Sequence, residues 1–151
     1  MTRIRISRRL VLVLILLAIA TPIVYYLASP LVLSRQVSEA APTAVGGTLA
    51  VGTFAGADGF HHVMGTVKVV RLSDGSRLLR LEGFRATNGP DLYVYLSQDK
   101  QAGNFVNLGG LKGNVGDQNY DIPSNVDLAL DRYVLIYCRA FSFLFGSAEL
   151  S

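Results

Sequence analysis

HHVMGTVKVVRLSDGSRLLRLEGF (residues 61–84) decides the fold. Its first half, HHVMGTVKVV, alternates weakly and ends on β-branched residues. Its second half, RLLRLEGF, returns with another apolar run. Between them stand Ser73, Asp74, Gly75 and Ser76. Asp-Gly between two strand-like runs is a hairpin signal, because glycine takes positive φ without strain. The stretch therefore reads as two antiparallel strands joined by a tight turn.

The same grammar extends in both directions. TLAVGTF (48–54) is a short strand and AGADG (55–59) a turn. Downstream, Asn88, Gly89 and Pro90 make a turn before DLYVYLS (91–97). That run sets Leu92, Val94 and Leu96 on one face and Tyr93 and Tyr95 on the other. FVNLGGL (105–111) is another short strand, and KGNVGDQ (112–118) reads as loop. YVLIYC (133–138) is the most hydrophobic strand. FSFLFGSAEL (141–150) puts Phe141, Phe143 and Phe145 on one face. Short strands at such spacing, with turn residues between them, predict an all-β domain: an antiparallel β-sandwich or barrel over residues 48–151.

The N-terminus differs in kind. Residues 10–27 are almost wholly apolar, and the run extends to Leu33 if Ala28, Ser29 and Pro30 are tolerated. About 20 such residues cross a hydrocarbon core. Signal-peptide apolar regions are shorter, about 7–15 residues. The segment at 10–33 is therefore read as one transmembrane helix in the lipid bilayer. Cleavage after export is the alternative, which would release a secreted domain. Arg3, Arg5, Arg8 and Arg9 precede it, so residues 1–9 form a basic cytoplasmic tail and the β domain lies outside. Tyr25 and Tyr26 are candidate interface anchors. Residues 34–47 read as a linker. The expected location is the plasma membrane, single-pass.

Charge removes one class of partner. Residues 1–35 hold five arginines and no acid, whereas residues 36–151 hold nine basic and eleven acidic side chains. The overall +3 thus belongs to the tail. The domain is mildly acidic and has no basic stripe, which excludes nucleic acid as a partner.

No nucleophile elbow, zinc motif, CxxC pair, Walker loop or dinucleotide fingerprint is present. The glycine-rich loop lacks the Gly-Lys-Ser/Thr ending of a phosphate loop. Cys138 is the single cysteine, so no intrachain disulfide forms. By the period of two it shares a face with Val134 and Ile136, as a core residue would. An exported free thiol is equally a candidate redox group, or a ligand to haem or copper. His61 and His62 are the two histidines, and either with Cys138 makes a candidate metal pair, with Met64 a soft third ligand. Adjacent strand residues face opposite ways, so the two histidines share a metal only in a loop. Having no cofactor at all is an equal expectation.

Several pieces together resemble a known family. They are Gly52-Thr53-Phe54, the histidine pair, Gly65-Thr66-Val67, NGPDLYVYLS (88–97), LGGLKGNVGDQNYDIP (108–123), Cys138 with Phe141, and FLFGSAEL (143–150). They are similar to the DM-thirteen domain, a family proposed to serve electron transfer at cell surfaces. The resemblance implies a β-sandwich-like fold. It also implies a characteristic cysteine, here Cys138, acting as a naked thiol or holding a group such as haem. Tyr137 stands where family members often carry Trp. Relatives carry DOMON modules beside the domain; this chain has none, so the resemblance implies a separate redox or surface protein as partner. Two functions stand side by side: a membrane-anchored extracytoplasmic module that serves electron transfer or redox chemistry through the Cys138 thiol or a bound metal or haem, and is not an enzyme by itself; or a non-catalytic binding or scaffold domain at the cell surface with Cys138 in the core.

Overall fold

The computed structural model describes residues 7–151, apart from the side chains of 26, 27 and 30–32. Arg3 and Arg5 of the basic tail, and the Tyr26 ring, lie outside the described residues. One helix, α1 (Arg8–Val32), is followed by nine strands. These are β1 (Val45–Thr53), β2 (Ala55–Gly56), β3 (Val63–Leu72), β4 (Arg77–Ala86), β5 (Leu92–Ser97), β6 (Phe105–Gly110), β7 (Gln118–Ile122), β8 (Tyr133–Cys138) and β9 (Phe143–Glu149). They form two antiparallel sheets, ordered β1-β3-β4-β7 and β2-β9-β8-β5-β6.

Helix α1 begins where Ser7 accepts the Leu10 N–H at 3.2 Å, satisfying one of the free amides of a helix start. Over Arg8–Tyr25 its apolar residues are not buried against the rest of the described chain. At about 1.5 Å per residue, 25 residues extend about 37 Å. By length and composition the helix is able to cross a bilayer.

The hairpin at the centre of the sequence is β3–β4, with Arg71 opposite Arg77. Gly75 takes φ 87°, the left-handed conformation the turn requires. Asp74 accepts from the Ser76 backbone and hydroxyl at 2.9 and 2.6 Å. Alternation sets the core: Val67, Val69, Leu79 and Leu81 from one sheet meet Val94, Leu96, Val134, Ile136 and Cys138 from the other. β7 is a strand that its polar sequence, QNYDI, conceals. It pairs with β4, and Gln118 and Tyr120 face inward.

The segment expected to be a free linker is docked along its first half. The Val37 N–H donates to the Val115 carbonyl and the Glu39 N–H to the Asp117 carbonyl, each at 2.9 Å. The Glu39 carboxylate takes Lys112 Nζ at 2.8 Å and the Asn119 N–H at 2.7 Å. Residues 35–40 thus form a strap over loop 112–117. Strand β1 then starts at Val45, inside the expected linker.

Candidate functional site

His61 sits in a loop between β2 and β3, beside a cleft of about 350 Å³. Asp58 shapes that loop. Its Oδ1 accepts the backbone N–H of Phe60 and of His61, both at 2.7 Å. The carboxylate also holds the ring, with His61 Nδ1 2.8 Å from Oδ2 and 3.0 Å from Oδ1. Thr87 pins the other side: its hydroxyl accepts the His62 N–H, and its N–H donates to the His62 carbonyl, each at 2.9 Å. The His61 ring lies against Phe143 and Phe145, at centroid distances of 4.6 and 4.4 Å. Phe145 is the extra residue of a bulge, since Ile136 pairs with Gly146 and Tyr137 with Leu144. Asn88, Pro90 and Phe141 complete the lining.

The electrostatics fix the imidazole. The His61 ring hydrogen bond, helped by the two backbone donors, holds the Asp58 carboxyl down to about 2. Asp58 is therefore ionised at neutral pH and takes the proton on Nδ1. In the neutral ring, Nε2 then carries the lone pair. A carboxylate behind a histidine is also the arrangement that orients imidazole metal ligands.

Cys138 is fully buried, on the core face of β8 between its register partners Leu92 and Phe143. Phe143 links it to the cleft, being both its cross-strand partner and a neighbour of His61. Arg139 follows Cys138 at the end of β8. Its guanidinium pairs with Asp91 at 3.0 Å and lies over the Tyr93 ring at 4.4 Å. His62 and Met64 are exposed, and Met64 stands on β3 opposite Arg85. No group of three His, Cys, Asp or Glu side chains is placed to hold a metal among the described residues. His62 and Met64 are thus at the surface, whereas Cys138 is fully buried. A haem in the cleft would be held by His61, the histidine of its lining. The cleft lining, however, has no Lys or Arg for two propionates.

A scan against family models matches residues 53–150 to the family described as Electron transfer DM13. The chain belongs to that family. No curated protein and no solved structure matched it.

Most of the distinctive DM13 motif in this chain is architecture. Gln118 is fully buried beneath loop 112–117. Its Oε1 accepts from the N–H groups of Lys112 and Gly113 and from the Tyr120 hydroxyl, at 3.1, 3.2 and 2.8 Å. Its Nε2 donates to the Gly113 carbonyl at 2.7 Å. Burial pushes the Tyr120 hydroxyl up to about 12, so it stays protonated and donates. Gly113 and Gly116 let the strap pass: a Cβ on Gly116 would run into the Val37 carbonyl, and one on Gly113 would lie 2.5 Å from that of Arg35. Arg80, buried under the strap, donates to Glu82 at 3.0 Å, Asp117 at 2.8 Å and Asn119 at 2.9 Å. Its Nη1 also reaches the Glu39 and Ala40 carbonyls at 3.2 and 3.3 Å.

Sequence reasoning selected His61 but missed Asp58, although an acid three residues upstream in a glycine turn is a local capping signal. It saw the three phenylalanines as a strand face. They converge instead from a turn, a strand end and a bulge, and all line the His61 cleft.

Proposed function

We propose that this DM13 protein is a membrane-anchored electron-transfer module whose two sheets pack as a sandwich outside the cytoplasm. Helix α1 is the anchor, with the arginine-rich end inside. The strap over residues 35–40 holds the domain close to the helix end. The His61 cleft is the face presented to a redox group or partner, and Cys138 lies one phenylalanine behind it. The observation that carries this reading is the family match over nearly the whole β domain, joined to an oriented imidazole beside an apolar cleft.

The full chain, purified in detergent, tests it by reversible reduction, read as isolated and after titration with haemin and with Cu(II). An electron-transfer module is expected to hold or take up a redox-active group and to lose it on His61→Ala. Reversible reduction absent under all three conditions, with added quinol oxidised by ferricyanide no faster than in a protein-free blank, contradicts the reading. The anchor is checked separately, by finding the full-length product in the membrane fraction; a shortened soluble product would mean cleavage.

The complete burial of Cys138 favours a second reading, a non-catalytic binding domain with that residue in the core. In that case Cys138→Ser lowers stability and leaves partner binding intact.

A further inference from the structure

The His61 cleft has a feature that a packed core lacks: much of its apolar lining is left open. Phe141 is 73% exposed and Phe143 41% exposed, and Phe60, in the same loop as His61, is 84% exposed. Single exposed apolar residues are ordinary, but several gathered around one concave site mark a binding surface. In contrast to the strap loop, the cleft also offers an unused polar atom. His61 Nδ1 is committed to Asp58, while among the described residues Nε2 has no hydrogen-bond partner.

The position of the cleft says where an occupant comes from. Asn88 and Pro90 line it on one side. The same two residues line a second cavity of about 470 Å³, whose wall includes Ser29 and Leu33 from the end of helix α1. A single turn, residues 88–90, therefore separates the cleft from the helix exit. If the helix is an anchor, the phenylalanine rim lies near the bilayer surface.

Size and charge narrow the chemistry. Ligand sites run from about 300 to 1,000 Å³, so this one accepts one ring or a fused pair. Its lining has no Lys or Arg, and Asp58 stands behind His61. An anionic ligand is disfavoured, which includes a porphyrin with two carboxylates. A neutral, planar, amphipathic ring with a hydroxyl fits: three phenylalanines cover its faces and edges, and the Nε2 lone pair accepts its proton.

We infer that the His61 cleft binds the head ring of a membrane quinol, with one ring hydroxyl donating to His61 Nε2 and Phe141, Phe143 and Phe145 enclosing the ring. This rests on the electron-transfer reading above and names its redox partner by class. The site binds reduced quinol better than quinone when the imidazole is neutral, because Nδ1 then carries its proton towards Asp58 and Nε2 offers an acceptor and not a donor.

The test uses the full chain in nanodiscs of neutral lipid, with a decyl-substituted benzoquinol and naphthoquinol as probes and nanodiscs without protein as the blank. Saturable binding of at least one quinol above the blank is expected. His61→Phe should weaken it about tenfold, the value of one lost hydrogen bond in a dry site. Phe141→Ser, a change in an exposed turn that leaves the fold intact, should weaken it several-fold. Leu130→Ser, in the loop before β8, should leave it unchanged. Binding equal to the blank overturns the inference, as does equal affinity in the wild type, His61→Phe and Phe141→Ser. So does haemin uptake through His61 with no quinol binding. A second readout separates the two claims: quinol giving one electron to each of two equivalents of ferricyanide and releasing its two protons to the buffer. Quinol that binds through His61 but is oxidised no faster than in the blank leaves the site standing and removes the electron-transfer reading. No quinol binding by a chain that holds another reducible group does the reverse.

Discussion

The strap loop and the His61 cleft are both built from distant segments, yet they spend their polar groups in opposite ways. Around loop 112–117, Gln118, Tyr120, Lys112, Glu39 and Arg80 all have hydrogen-bond partners within the chain. Beside the cleft, Asp58 is fully used but the imidazole it orients keeps one nitrogen for something else. The difference teaches where to look for function in this protein. The most recognisable motif closes on itself and holds the domain to its strap. The less distinctive residues leave recognition capacity open.

That contrast breaks most visibly at Gln118. Gln118→Ala leaves the Gly113 carbonyl, the Gly113 N–H and the Tyr120 hydroxyl proton without their partner in a buried site, while the Lys112 N–H keeps the Tyr120 oxygen at 3.1 Å. Each such group costs about 1–3 kcal/mol, so a loss of about 3–5 kcal/mol is expected in denaturant unfolding, some relaxation allowed for. Arg80→Met comes next, at about 2–3 kcal/mol. The buried guanidinium loses its ion pairs, but their partners Glu82 and Asp117 are about one-third exposed and regain water. Cys138→Ser should cost about 1–3 kcal/mol, because it places a hydroxyl on an apolar core face. Cys138→Ala should cost less. In the native protein, thiol reagents should modify Cys138 only as fast as the core opens.

Changes at the cleft should be small for stability. His61→Phe is expected to shift unfolding by less than about 1 kcal/mol, since half-exposed surface sites contribute little. Acid dependence gives the finest probe. Asp58 has its folded pKa lowered from 3.8 to about 2, chiefly by the His61 ring and the loop amides. Its contribution is therefore present above pH 3.8 and is lost as the pH falls through 2. Asp58→Asn should remove that part of the acid dependence, seen as a flatter midpoint-against-pH curve in this window.

What the sequence made legible follows from range. The β3–β4 hairpin, the two-faced β5 and the core face of β8 rest on alternation and on one Asp-Gly turn, all local signals. The strap was illegible because its partners are about 80 residues away and its own residues, SRQVSEAAP, have no period. Strand β7 was hidden because Asn119 and Asp121 are poor strand formers, and only pairing with β4 makes them extended. At the site, His61 was visible as a residue type and Cys138 by its face. The convergence of Phe141, Phe143 and Phe145 on His61 was not, because the β9 bulge breaks the alternation from which their shared face was read.

The most direct measurement compares the two regions in one experiment: quinol affinity of nanodisc-embedded chain for His61→Phe against Arg80→Met, at a temperature where circular dichroism shows both folded. The expected result is about tenfold weaker binding for His61→Phe, although it is the more stable of the two, and wild-type affinity for Arg80→Met. Weaker binding for Arg80→Met with His61→Phe unchanged would contradict the account and move the functional surface to the strap loop.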